Sequence, residues 1–166
     1  MRPRLDCHPA VARALRELDA GTSAHCGRTG GLADMLGRAL QLSSDALETL
    51  RLAAELHDVG KAEIPREILL KPAKLAPQEF EVMRKHPSIG HELLRQSGAA
   101  GLEEVATVVL HHHESMDGSG YPGGLKGEGI PVLSRVVAVV DAYDAIASSR
   151  PYHDAKSHRD VMSLLF

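Results

Sequence analysis

The stretch S-D-A-L-E-T-L-R-L-A-A-E-L-H-D, Ser44 to Asp58, decides the fold. Leu47, Leu50, Leu52, Ala53 and Leu56 recur at the spacing that puts apolar side chains on one side of an α-helix, and Ser43 or Ser44 supplies an N-cap. The segment ends by delivering His57 and Asp58 side by side, and Gly60 and Pro65 stop it. Alone, such a pair reads equally as a hydrogen-bonded helix end, so its meaning depends on the other histidines.

Helical spacing continues on both sides. It predicts helices from Pro9 to Asp19 (Val11, Leu15, Leu18) and from Thr22 to Leu42 (Leu32, Met35, Leu36, Leu40), the second weakened at its N-terminal part by glycine. A polar loop to Pro77 precedes a helix from Gln78 to Lys85. After a break at Pro87 come a helix through Leu93 and Leu94, one from Leu102 to His113, one from Val132 to Ser149 and a short one from Ser157 to Leu165. Ser115 to Pro131 holds six glycines and two prolines, a loop long enough in a compact domain to imply function. The expectation is an all-α fold, a single bundle of about seven helices with one long Gly-rich loop.

Composition agrees. Aromatics are 3 % of 166 residues and Trp is absent, so the core must come from Leu, Val, Ala, Ile and Met, which favours packed helices. The length suits one domain, 1–166. A net charge of -3 excludes general attraction to a nucleic-acid polymer, so a phosphate ligand needs local charges or metal ions. Cys7 and Cys26 form no paired metal motif and read as reduced thiols of a cytoplasmic protein. No apolar run reaches membrane-span length and the N-terminus lacks a signal-peptide core.

Ten histidines are the odd feature. His8, His91, His153 and His158 are read as surface or hydrogen-bonded residues. Five others fall with aspartates at helix ends, in the order His25, His57-Asp58, His86, His112-His113 and Asp141. Imidazole and carboxylate together suit iron, manganese, zinc or nickel, and a carboxylate can bridge two ions. The lack of cysteine ligands argues against a structural zinc site.

H-D-V-G-K, His57 to Lys61, resembles the defining pair of the HD metallophosphohydrolase superfamily, and H-H-E-S-M-D-G-S-G-Y-P, His112 to Pro122, resembles the signature of its HD-GYP subgroup. D-x-x-T-x-x-H (Asp19 to His25), I-P-x-x-I-L-x-K-P (Ile64 to Pro72), M-x-x-H-P-x-x-G (Met83 to Gly90) and the run from Gly123 to Tyr152 are similar to family sequence. The resemblance covers about Asp19 to Leu165. The family's G-x-x-F-D-P segment is absent before the chain stops at Phe166, and no receiver or sensory domain precedes Met1, so regulatory input is expected from another chain or a piece not present.

The resemblance implies an HD-type bundle and a phosphodiesterase that hydrolyses cyclic di-GMP to linear pGpG, with GMP as a further product left open. It implies two divalent metal ions, iron or manganese, held by His25, His57, Asp58, His86, His112, His113 and Asp141, with Asp58 bridging. Some family members hold a third ion with a glutamate four residues before the first histidine; Gly21 stands there, which argues for two. Lys61, four residues after His57, shares its face if the helix persists and then reaches a substrate phosphate. Gly120, Tyr121, Pro122 and Arg150 are the further substrate-binding candidates, Asp58 and Lys61 the catalytic ones. The loop glycines, Gly118 among them, permit unusual backbone angles around Asp117. Glu114 and Asp144 are expected to orient histidines. His153 occupies a position that is basic in the family, which weakens the expected substrate contact.

Two alternatives remain. One is another cyclic dinucleotide, such as cyclic GMP-AMP, or a nucleotide phosphohydrolase, although a generic HD nucleotidase lacks the signature loop. The other is a non-catalytic module that senses the nucleotide or docks onto a diguanylate cyclase (GGDEF) domain through Gly120 to Pro122. A homodimer is left open.

Overall fold

A computed structural model describes residues 9–148 and 156–165. Among them the regular structure is helical: α1 (Pro9–Glu17), α2 (Ala20–Ala39), α3 (Ser44–Leu56), α4 (Arg66–Leu69), α5 (Pro77–Met83), α6 (His86–Gln96), α7 (Leu102–Leu110), α8 (Val132–Ala147) and α9 (His158–Leu165), with 3-10 turns at Val59–Glu63 and Gly127–Gly129. The expected all-α bundle is present, with α4 added inside what reads as a polar loop. No helix among the described residues is long and apolar enough to cross a membrane.

The helix starts follow local chemistry. Asp19 caps α2, its carboxylate accepting the Thr22 N–H at 3.0 Å, so the helix begins two residues before the position that apolar spacing suggests. Of the two candidate serines, Ser43 caps α3, through the Ala46 N–H. Pro87 lies in the first turn of α6 rather than interrupting a helix. There its missing N–H costs nothing, because the first N–H groups of a helix have no internal partner.

Helix α3 is the centre of the bundle, packed against α2, α7 and α8. Leu50, Leu52, Ala53 and Leu56 of α3 meet Val105, Val108 and Val109 of α7 and Val136, Val137 and Val140 of α8 in one buried cluster. Full burial of a side chain such as Leu50 contributes roughly 1.5–3 kcal/mol.

Helix α2 meets expectation only in part: Leu32 and Leu36 pack against the core. Met35 is 70 % exposed and Leu40 is also at the surface, whereas Cys26, Gly30, Ala33 and Gly37 are buried. The stripe facing α3 is made of small residues, so the two backbones come close. A Cβ at Gly37 would stand 2.7 Å from Leu47 and 2.9 Å from Leu50. Apolar periodicity finds large side chains and cannot see a face built of glycine and alanine.

Candidate metal centre

The histidines and aspartates of the set arrive from five separate segments, and the packing of α2, α3, α6, α7 and α8 brings them together. His25 comes from the first turns of α2, His57 and Asp58 from the end of α3, His86 from the start of α6, His112 and His113 from just beyond α7, and Asp141 from α8. His25, His57, Asp58, His86 and His112 are buried. His25, His57 and Asp58 bring their ligand atoms within 4.8 Å of one another, and so do His86, His112 and His113.

Three of the rings are locked by the same local device. His57 Nδ1 donates to the Ala54 carbonyl at 2.8 Å, His86 Nδ1 to Met83 at 2.9 Å and His112 Nδ1 to Val109 at 2.6 Å. A carbonyl only accepts, so each Nδ1 carries the proton and each Nε2 turns a lone pair inward. His86 Nε2 and His112 Nε2 then face each other at 3.4 Å with no proton between them. His57 Nε2 and Asp58 Oδ1 are buried without a hydrogen-bond partner among the described residues. Buried polar atoms are ordinarily satisfied. Convergent lone pairs beside a carboxylate fit a cation, and the nitrogen and oxygen donors fit a divalent transition metal.

Asp58 sits between the two groups. Its Oδ2 lies 3.5 Å from His57 Nε2 and its Oδ1 3.3 Å from His86 Nε2. Burial opposes its charge, but Lys61 and the surrounding histidines outweigh burial and hold the carboxyl well below the ordinary range. Burial keeps three of the imidazoles neutral, His86 pushed down to about 4 and His112 and His113 to about 3, the form in which imidazole binds metal. Asp141 Oδ1 lies 2.9 Å from His25 Nε2 and 3.7 Å from His57 Nε2. All seven expected ligands therefore meet in one place.

A cleft of about 600 Å³ opens onto this centre, with His25, Asp58, Lys61, His86, His113 and Tyr121 in its wall. Three expectations are corrected here. The helix does not persist past Leu56, so Lys61 lies in the 3-10 turn and its ammonium donates to Asp58 Oδ2 at 2.6 Å rather than sharing a helical face with His57. Glu114 orients neither His112 nor His113. It accepts from the backbone N–H groups of Gly123 at 2.6 Å and Leu125 at 2.9 Å, pinning the signature loop. Gly120 has no left-handed backbone; a Cβ there would overlap the Ser115 backbone nitrogen and stand 2.5 Å from Glu114 Cα. Close approach, not torsional freedom, selects the glycine.

Asp144 matches expectation, its Oδ2 accepting from His25 Nδ1 at 2.6 Å. Tyr121 is half-buried, its ring 4.9 Å from that of His113, and its N–H donates to the His113 carbonyl at 3.0 Å. Pro122 follows it and is exposed, while Gly118 does adopt the left-handed conformation. Arg150 and His153 lie outside the described residues. The sequence reading passed over Arg28 and Lys71 in the cleft wall, and Arg84, whose guanidinium lies 4.8 Å over the Tyr121 ring. Arg28 had a signal, its spacing one turn after His25. Arg84 had none.

Residues 9–165 match the family model described as HD domain. The cyclic di-GMP phosphodiesterase response regulator RpfG of Xanthomonas campestris pv. campestris (strain 8004) is 44 % identical over 156 residues, 94 % of this chain and 41 % of that protein. A 3'3'-cGAMP-specific phosphodiesterase 2 of Vibrio cholerae serotype O1 is 37 % identical over 144 residues, 87 % of this chain and 28 % of that protein. The chain thus spans less than half the length of either relative. The crystal structure of the L. monocytogenes phosphodiesterase PgpH HD domain in complex with cyclic-di-AMP has a similar fold, with a TM-score of 0.67 at 16 % identity over 95 % of this chain and 80 % of that one.

Proposed function

Because the chain belongs to the HD domain family, with the sequence signature of its HD-GYP subgroup, we propose that it is a metal-dependent phosphodiesterase that hydrolyses cyclic di-GMP to the linear dinucleotide. The observation that carries this reading is the set of Nε2 atoms turned inward around Asp58, two of them 3.4 Å apart, at the floor of a cleft. Two divalent cations, iron or manganese, would be held by His25, His57, Asp58 and Asp141 on one side and by Asp58, His86, His112 and His113 on the other. Cations held by this set supply Lewis-acid charge for the phosphoryl oxygens and the acidity that yields a nucleophile near neutral pH.

The chain's own residues do the rest. Asp58 offers one oxygen to each group of histidines. Lys61 compensates its charge and, standing in the cleft wall, is placed to meet a phosphate oxygen. Tyr121, in contact with His113 and Arg84, stands in the cleft wall, where a base can rest against it. Cyclic GMP-AMP is the competing substrate, and the similarity of the Vibrio cholerae relative supports testing it.

The test is purification without oxygen, a count of bound metals, and chromatography of cyclic di-GMP and cyclic GMP-AMP incubated in parallel. Faster conversion of cyclic di-GMP to a linear dinucleotide supports the reading. Recovery of both compounds intact, with metals verified in place, replaces it with a nucleotide-binding module.

A further inference from the structure

We propose that Arg28 is a positioning residue for the centre, acting through Asp144 to fix the ring of His25; this rests on the reading of the His/Asp set as a metal site. Arg28 lies on α2 one turn beyond His25 and reaches Asp144 on α8 with two parallel bonds, Nε to Oδ1 at 2.7 Å and Nη2 to Oδ2 at 2.9 Å. The same carboxylate accepts from His25 Nδ1 through Oδ2 at 2.6 Å and from the Ser148 hydroxyl through Oδ1 at 3.1 Å. Both oxygens are filled, and the fork geometry of the guanidinium leaves the carboxylate plane one orientation. That orientation sets which way His25 turns Nε2, which lies 2.9 Å from Asp141 Oδ1.

An arginine–aspartate pair at a surface contributes little. This pair is lopsided: the Arg28 side chain is 48 % exposed while that of Asp144 is 5 % exposed. The buried partner has given up its water and depends on Arg28 and His25 for compensation. Remove Arg28, and Asp144 keeps its charge with one fewer restraint, so the orientation imposed on His25 slackens. The effect belongs to one half of the centre. His57, His86 and His112 are oriented by carbonyls of their own turns and do not use this pair.

The experiment is a manganese(II) titration of the full chain, read by the electron paramagnetic resonance of free manganese, with thermal unfolding of each variant alongside. Wild type is expected to bind two ions. Arg28→Ala should weaken one of them about tenfold and leave the other within about twofold, within the roughly 10–100-fold cost typical of groups that support a metal-binding histidine. Arg28→Lys, which keeps a charge but not the fork, should recover part of the loss, and Asp144→Asn should weaken the same ion further. Arg38→Ala, whose arginine pairs with Asp34 elsewhere on α2, should change nothing. Unchanged affinity for both ions in Arg28→Ala overturns the proposal. So does an equal fall at both ions that follows the thermal midpoint and that Arg28→Lys does not reverse. Wild type that binds no manganese overturns the metal reading itself, an outcome distinct from either.

Discussion

Replacing Gly60 by alanine tests how the H-D-V-G-K turn is seated. The 3-10 turn that follows Asp58 lies directly on the first turn of α6, which carries His86. A Cβ at Gly60 would overlap the His86 carbonyl oxygen and stand 2.6 Å from the Gly90 nitrogen, both backbone atoms that cannot swing aside. Relief requires α6 to move away from the turn. Overpacking of a well-packed core costs about 1–3 kcal/mol, and a clash with backbone on two sides places Gly60→Ala near the upper end. For a domain of this size roughly 3 kcal/mol lowers the thermal midpoint by about 6–12 °C. Since the displaced helix carries His86, bound metal should fall as well. Thermal denaturation and elemental analysis of the purified variant check both. A Gly60→Ala protein with the wild-type midpoint and metal content would refute the seating of the turn on α6.

Asp58→Ala should lose metal and turnover together, because the carboxylate stands between both groups of histidines; elemental analysis and a cyclic di-GMP assay check it. Lys61→Ala should keep its metals and lose about tenfold to a thousandfold in turnover, equivalent to roughly 1.4 kcal/mol per factor of ten, as expected of a cation whose hold on a phosphoryl oxygen tightens in the transition state. Tyr121→Ala should raise KM with little change in kcat, because resting a base on a ring is similar in ground and transition states; steady-state kinetics separate the two.

The site was more legible in the sequence than the details of the bundle. His25, His57, Asp58, His86, His112, His113 and Asp141 recur at helix ends, and the resemblance to the HD-GYP signature marks them as one set, which the fold brings together. Helix α3 was equally plain, because large apolar residues at helical spacing with a serine cap leave few other conformations. The face of α2 was not legible: Gly30, Ala33 and Gly37 are buried because they are small, while Met35 remains outside. The role of Lys61 depended on whether a helix continues for one more turn, and it gives way to a 3-10 turn that hands the ammonium to Asp58. Glu114, expected to orient metal-binding histidines, instead accepts from the N–H groups of Gly123 and Leu125, nine and eleven residues on, and its one histidine contact is His111 at 3.4 Å. Interactions that span a loop or join two helices, as Arg28 and Asp144 do across 116 residues, leave no periodic trace.

The most direct measurement is anomalous diffraction from crystals of the manganese-loaded protein. Two manganese peaks are expected, one among His25, His57 and Asp141 and one among His86, His112 and His113, with Asp58 touching both. A single peak that Asp58 does not contact, or peaks elsewhere while the inward-facing Nε2 atoms stay empty, would contradict the two-ion centre.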